Sequence, residues 1–500
     1  MLSKLSTIAF NGIETQEVSV EVQISSGLPM FTIVGLPDKA VAESKERIRA
    51  SFFHLGLSLP QRRIVVNLAP TDIQKEGAHY DLPIALGIMG ALDMFDKEQL
   101  KEYVILGGLS LDALVSPVVG VLPSAIFAYS TNRSLICPAK NRNEAIWAGQ
   151  DLQIVAAPDL ISLCNHFKGE QIIAPPELPS LQKSEDAATY YGDMSEIKGQ
   201  YTLKRVMEIA AAGGHNVLMI GPPGAGKSMI SQRLMSILPR LEPQEAIEVT
   251  MIYSIAGMLP ENGLMSERPF RAPHHSASLA SLVGGGIRAK PGEISLAHNG
   301  VLFLDELPEF SRVSLEALRQ PLETGNITVA RVNQHVTYPA KIQLIAAMNP
   351  CRCGYFGTTH RECARAPKCA VDYQSKISGP LLDRFDLVVY VPQLPISDLI
   401  SMKPQQVETS CTIQQRVQAA VNFSKQHMSE KQKITKIDEL SEEAQGFLRH
   451  IAEKMQLSAR GCCRVMNVAR TIANLLHSAD ITQDHLCEAI NYRYSLTSKE

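Results

Sequence analysis

Long apolar runs, a cysteine framework and a net basic charge are all missing from this sequence of 500 residues. The most apolar stretch, Leu82 to Leu92, is interrupted by Pro83 and falls well short of the ~20 residues that span a bilayer. Met1 to Phe10 carries no long apolar core of a leader, so no membrane partner is expected and a cytoplasmic location is. Ten cysteines scattered over the chain exclude a disulfide scaffold and fit a reducing compartment, with one cluster set apart below. The formal net charge of −3 excludes a generally basic nucleic-acid coat, although a local basic channel would not register in that sum. What remains is ordinary globular composition, 45% hydrophobic and 20% charged, long enough for two to four domains.

The chemistry is densest at 216–228, NVLMIGPPGAGKS. An apolar strand, Val217 to Ile220, breaks into a glycine turn and then into MISQRLMSIL, whose apolar residues recur at helical spacing. Gly221, Pro222, Pro223, Gly224, Ala225, Gly226, Lys227 and Ser228 fit the pattern in which backbone N–H groups curl around phosphate oxygens. Lys227 then reaches the β- and γ-phosphates of ATP, and Ser228 holds Mg²⁺ through its hydroxyl. HNGVLFLDELPEF (298–310) follows as a strand ending in two carboxylates. Asp305 is expected in the Mg²⁺ shell, and Glu306 is expected to orient and polarise the attacking water.

Upstream, SVEVQI, FTIVGL and RIVVNLAP read as strands, and YVILGGLSL (103–111) as another. Val41, Ser44, Ile48 and Phe52 recur at helical spacing on a helix with Lys39, Lys45, Arg47 and Arg49; a solvated face is favoured over a nucleic-acid contact. YDLPIALGIMGAL reads as a buried helix. The proline-bearing stretch 168–195 reads as a linker, and the helix YTLKRVMEIAAAGG leads into the phosphate-loop strand.

Residues 69–92, APTDIQKEGAHYDLPIALGIMGAL, resemble the N-terminal domain of the ComM/YifB family of magnesium-chelatase-like AAA+ ATPases, a domain similar to that of Lon proteases. In Lon-type enzymes the matching glycine turn carries a nucleophilic serine; Gly77, Ala78 and His79 supply none, so the domain is expected to be non-proteolytic. The resemblance extends through KIQLIAAMNP, whose Asn349 matches the sensor-1 position, and SGPLLDRFDL, whose Arg384 matches an arginine finger acting on a neighbouring subunit's γ-phosphate. An ion pair with Asp383 or Asp386 is the plain alternative for Arg384. SARGCCRVMNVARTIANL matches the sensor-2 helix and places Arg460 on phosphates, with Arg464 the runner-up and Cys462 and Cys463 taken as packing. Ser441, Ser458 and Thr482 are read as caps of successive lid helices.

Two inserts stand out. ITVARV and HVTYPA alternate about a Val332–Gln334 turn, a β-hairpin that the resemblance aims into a ring's pore with Arg331, Asn333, Gln334 and His335 near a phosphate backbone. Residues 268–300 match the family's helix-2 insert, where Arg268, Arg271, His274, His275, Arg288 and Lys290 with Gly284 to Gly286 suit a moving pore loop. CRCGYFGTTHRECARAPKC brings Cys351, Cys353, Cys363 and Cys369 into one loop; four thiols in a reducing compartment favour Zn²⁺ over free thiols, with His360 a substitute ligand.

The expectation is therefore an α/β protein: a Lon-protease-like (S5 domain 2-like) α+β domain over 1–170, a linker over 171–195, an AAA+ P-loop NTPase core over 196–395 and a helical lid over 396–500. The resemblance implies a homo-hexameric ATP-driven DNA motor of helicase or branch-migration type, serving recombination and natural transformation with recombination proteins as partners. A magnesium-chelatase motor subunit and a protein-remodelling ATPase are the competing readings.

Overall fold

Alternating apolar residues early in the chain build a sheet. The computed structural model, which describes residues 2–177, 191–286, 289–330, 335–356, 363–393, 408–427, 440–455 and 457–493, gives it seven strands. β1 (Leu2–Asn11) pairs antiparallel with β2 (Glu14–Ser25), and Val18, Val20, Val22 and Ile24 of β2 are buried at the period of two that one covered face requires. β3 (Met30–Val34) lies parallel to β4 (Arg63–Ala69), and β4 runs antiparallel to β2. β5 (Tyr103–Ile105), β8 (Ser134–Pro138) and β9 (Ile154–Ala157) extend the other side, giving the order β3-β4-β2-β1-β5-β8-β9. The helix Asp81–Ala91 is buried along its whole length against β1 and β2. Gly87 permits that approach, since a Cβ there would stand 2.6 Å from Val22.

One expectation needs correction. The strand read over 103–111 stops at Ile105, because Gly107 N–H bonds His79 O at 3.0 Å and Gly107 O accepts from Leu82 N–H at 2.9 Å. The chain leaves the sheet there, and β6 (Gly108–Leu109) pairs with β7 (Val115–Ser116) instead. In the basic run Lys39 and Arg49 lie exposed, as a solvated face requires, with Arg49 pairing with Glu46 at 3.3 Å, whereas Arg47 turns inward to the fully buried Asp81 at 2.6 Å.

The second sheet is parallel throughout, in the order β11-β14-β17-β10-β18. It contains β10 (Val217–Ile220), β11 (Phe270–Arg271), β14 (Val301–Leu304), β17 (Gln343–Met348) and β18 (Leu387–Tyr390). β10, β14 and β17 are buried at every position, as a sheet covered on both faces demands. Between these strands lie β12 (Gly284–Gly285), β13 (Lys290–Pro291) and the hairpin of β15 (Asn326–Ala330) with β16 (His335–Pro339). Ile220 sits opposite Met348, and Leu304 opposite Ala346, so the ends of β10, β14 and β17 open side by side at one edge. Ligands of parallel sheets bind at such an edge.

Helices Ser410–His427, Glu442–Lys454, Ala459–Leu475 and Gln483–Asn491 follow, capped by Ser441, Ser458 and Thr482. The first, Ser410–His427, and Ala459–Leu475 pack on the helix Tyr201–Gly213, whose end is turned by Gly214 at φ 65°. The N-terminal sheet domain docks on the core through the helix Pro243–Ala256 and the turn after it: Gly120 N–H donates to Ser254 O at 3.3 Å, Asn143 to Glu261 O at 2.9 Å and Trp147 to Asn262 O at 3.2 Å. Among the described residues, no helix is long and apolar enough to cross a membrane.

Candidate nucleotide site

The end of β10 gives way to the glycine loop, and each glycine has its own reason. A Cβ on Gly221 would strike Val391 O at 2.3 Å; Gly224 and Gly226 hold φ of 77° and 87°, and nothing lies within 4 Å of a Cβ at either. The loop is thus closed against the sheet on one side and open on the other, which is the shape that accepts phosphate oxygens. Gln200, which the sequence reading passed over, clips it from outside by donating to Pro392 O at 2.8 Å and Ala225 O at 3.4 Å.

Lys227 opens the helix Lys227–Arg233 and is buried, with Nζ donating to Gly221 O at 2.6 Å, Pro222 O at 2.9 Å and Asn349 Oδ1 at 3.2 Å. Burial brings its pKa down to about 8, against the opposing pull of the Asp305 and Glu306 carboxylates. Ser228 Oγ donates to Asp305 Oδ2 at 2.6 Å, so the hydroxyl and the carboxylate converge as a Mg²⁺ shell needs. Glu306 is turned into the left-handed region at φ 51°, its N–H bonded to Asp305 Oδ1 at 2.9 Å. Its half-exposed carboxylate meets His275 Nδ1 at 3.5 Å, and the His274 ring lies tilted against that of His275 with centroids 4.0 Å apart. Sequence reasoning had set His275 in a pore loop; only the neighbouring strands β11 and β14 bring it to Glu306.

Lys227, Ser228, Asp305, Glu306 and Asn349 therefore form one site. Arg384 and Arg460 belong to another group. Arg384 is 4% exposed, donates to Pro380 O at 2.5 Å and pairs with Glu323 rather than with Asp383 or Asp386. Burial, followed by the charges of Arg319, Arg460 and Arg464, holds its pKa below the ordinary arginine value. Arg460 is largely exposed and stands 4.0 Å from the same Glu323 carboxylate, so the two arginines share a face. Arg464 Nη1 is 3.4 Å from Asp386, whose other oxygen accepts from Asn216 N–H at 3.0 Å; it braces the sheet.

Cys351, Cys353, Cys363 and Cys369 place their sulfurs within 4.8 Å of one another, Cys351 and Cys353 at 3.2 Å. A tetrahedral zinc site with Zn–S of ~2.3 Å has sulfurs ~3.8 Å apart, so the set fits a structural Zn²⁺. Arg288, Arg331, Val332, Asn333, Gln334 and His360 lie outside the described residues, and Arg271 of the insert is bound to Glu293 at 2.6 Å.

The parallel sheet, phosphate loop, paired carboxylates and polar sensor define an AAA+ P-loop ATPase. Matches to known families agree with it: "Magnesium chelatase, subunit ChlI" over residues 193–399, "Subunit ChlI of Mg-chelatase" over 20–141 and "Magnesium chelatase, subunit ChlI C-terminal" over 407–493. The chain is 41% identical to the uncharacterised protein YifB of Escherichia coli over 98% of this chain and 97% of that protein. It is 40% identical to the competence protein ComM of Haemophilus influenzae over 96% and 95%. An uncharacterised protein of Mycobacterium tuberculosis matches at 37% over 98% of both chains. The chain belongs to the ComM/YifB family of magnesium-chelatase-like AAA+ ATPases.

Proposed function

We propose that this ATPase is a cytoplasmic, ring-forming DNA motor of helicase or branch-migration type, acting in homologous recombination during natural transformation. The observation that carries the reading is similarity along nearly the whole chain to a competence protein, inserts included. The β15–β16 hairpin, standing between β14 and β17, supports it as the element that would grip a phosphate backbone. Residues 1–170, 171–195, 196–395 and 396–500 serve as non-proteolytic Lon-like domain, linker, motor and lid.

Ser228 and Asp305 would hold Mg²⁺, which would supply neutralisation of phosphate charge there. Lys227 exchanges its loop carbonyls for phosphate oxygens, Asn349 faces the γ-phosphate, and Glu306 accepts the proton of the attacking water once it leaves His275. Arg384 and Arg460, sharing one face, serve the nucleotide of the next subunit, so a single subunit hydrolyses poorly and a homo-hexamer is the working form. Cys351, Cys353, Cys363 and Cys369 would hold Zn²⁺ as thiolates. Recombination proteins are the expected partners.

The test is steady-state ATP hydrolysis with single-stranded, duplex and four-way-junction DNA at two salt concentrations. Several-fold stimulation that fades as salt rises is expected, because phosphate contacts release counterions. Unchanged hydrolysis with no DNA binding would transfer the reading to a porphyrin-metallating or protein-remodelling motor.

A further inference from the structure

The four-thiol loop is joined at both ends to the parts of the site that sense phosphate. β17 ends at Met348; Asn349 follows, with its Oδ1 on Lys227, and Cys351 comes only two residues later. Cys351 is fully buried, and Pro350 between the two offers its carbonyl to Gln374 Nε2 at 2.9 Å. Gly354, at φ 85°, lies on the phosphate loop so closely that a Cβ would stand 2.7 Å from Pro223 and 4.0 Å from Asn349. The other half of the thiol set leads into the helix Lys368–Gln374, which returns Gln374 to Pro350. Just beyond it, Lys376 stands 3.5 Å from Glu309, three residues past Glu306. Among the described residues the local apolar cluster is small, with Cys351, Cys363 and Ala370 buried, Phe356 and Cys369 beside them, and Tyr373 buried on the helix that follows.

We propose that a metal ion held by Cys351, Cys353, Cys363 and Cys369 is a positioning brace for hydrolysis, setting Asn349 and the Pro222–Pro223 side of the phosphate loop against the γ-phosphate. The inference rests on the zinc reading above and adds to it. A loop with so small a core takes its shape from its metal. Releasing the ion frees Cys351 and Cys353 from Cys363 and Cys369, and with them the Gly354 contact on Pro223 and the Gln374 anchor on Pro350. Lys227 and Ser228 are held by β10 and their own helix, so nucleotide binding survives while the geometry of the transition state does not.

The experiment uses the full-length protein. Metal analysis after purification is expected to find about one zinc per chain, as four thiolates closing one tetrahedral site require. Cys369→Ser, or extraction with a chelator, should lower zinc content and reduce kcat by about tenfold to a hundredfold, as misplacing a positioning shell does, with ATP affinity changed little. Adding Zn²⁺ back to the extracted protein should restore kcat. Gly354→Ala provides a second arm, since it keeps all four thiols while crowding Pro223: zinc retained with kcat lowered is expected. Bound zinc whose removal lowers thermal stability and leaves kcat unchanged would overturn the brace while the metal site stands. Purified protein without zinc would overturn both.

Discussion

Lys227 makes ATP binding measurably dependent on pH. Its ammonium is buried beneath the phosphate loop with three oxygen partners, and desolvation brings its pKa to about 8 in the nucleotide-free chain. Arriving phosphates surround that nitrogen with negative charge and raise the pKa again, so the bound state holds more protons than the free state at any pH between the two values. Binding must then weaken as pH rises above about 8. With one such group, affinity for a non-hydrolysable ATP analogue with Mg²⁺ should fall roughly tenfold between pH 7 and pH 9, about 1.4 kcal/mol. Roughly three-quarters of a proton should be taken up per nucleotide at pH 8.5. Titration calorimetry in two buffers of different ionisation enthalpy measures that uptake directly. Constant affinity from pH 7 to pH 9, with no proton exchange at pH 8.5, would refute the argument that this lysine is poised by burial and recharged by phosphate.

Three further outcomes follow from the same geometry. Arg384→Ala should bind ATP normally yet hydrolyse it on the order of a thousandfold more slowly, and normal turnover in that variant would remove the trans-finger role. Glu306→Gln should keep nucleotide affinity and lose about two to four orders of magnitude in kcat, measured by phosphate release under saturating ATP; a rise in KM alone would place Glu306 in binding rather than water activation. Arg460→Ala combined with Arg384→Ala should cost less than the product of the single effects if both arginines act on one nucleotide, as their shared approach to Glu323 suggests, whereas independent effects in the double-mutant cycle would separate them.

The glycine loop and the carboxylates after β14 were legible in the sequence, because a phosphate site needs fixed residue types at fixed offsets from strand ends, while Asn349 after β17 was implied by the family resemblance. Helix caps at Ser441, Ser458 and Thr482 were legible for the same reason: a cap is a local hydrogen bond. The strand read over 103–111 was not, since its end is set by Gly107 bonding to residues about twenty-five positions earlier. Nor was the partner of Arg384: the nearby Asp383 and Asp386 were the candidates on spacing, and Glu323, sixty-one residues away, took the contact.

By itself, then, the sequence determined the class of site and the elements that carry it, since strand, loop and helix periods and short motifs are properties of neighbouring residues. The tertiary structure alone decided what those elements meet. Parallel pairing of β11 and β14 brought His275 to Glu306, the lid helix brought Arg460 to the carboxylate that holds Arg384, and Gly354 laid the thiol loop on Pro223. Such contacts join positions tens to more than a hundred residues apart, and no local period records which of the many chemically compatible partners the packing will select.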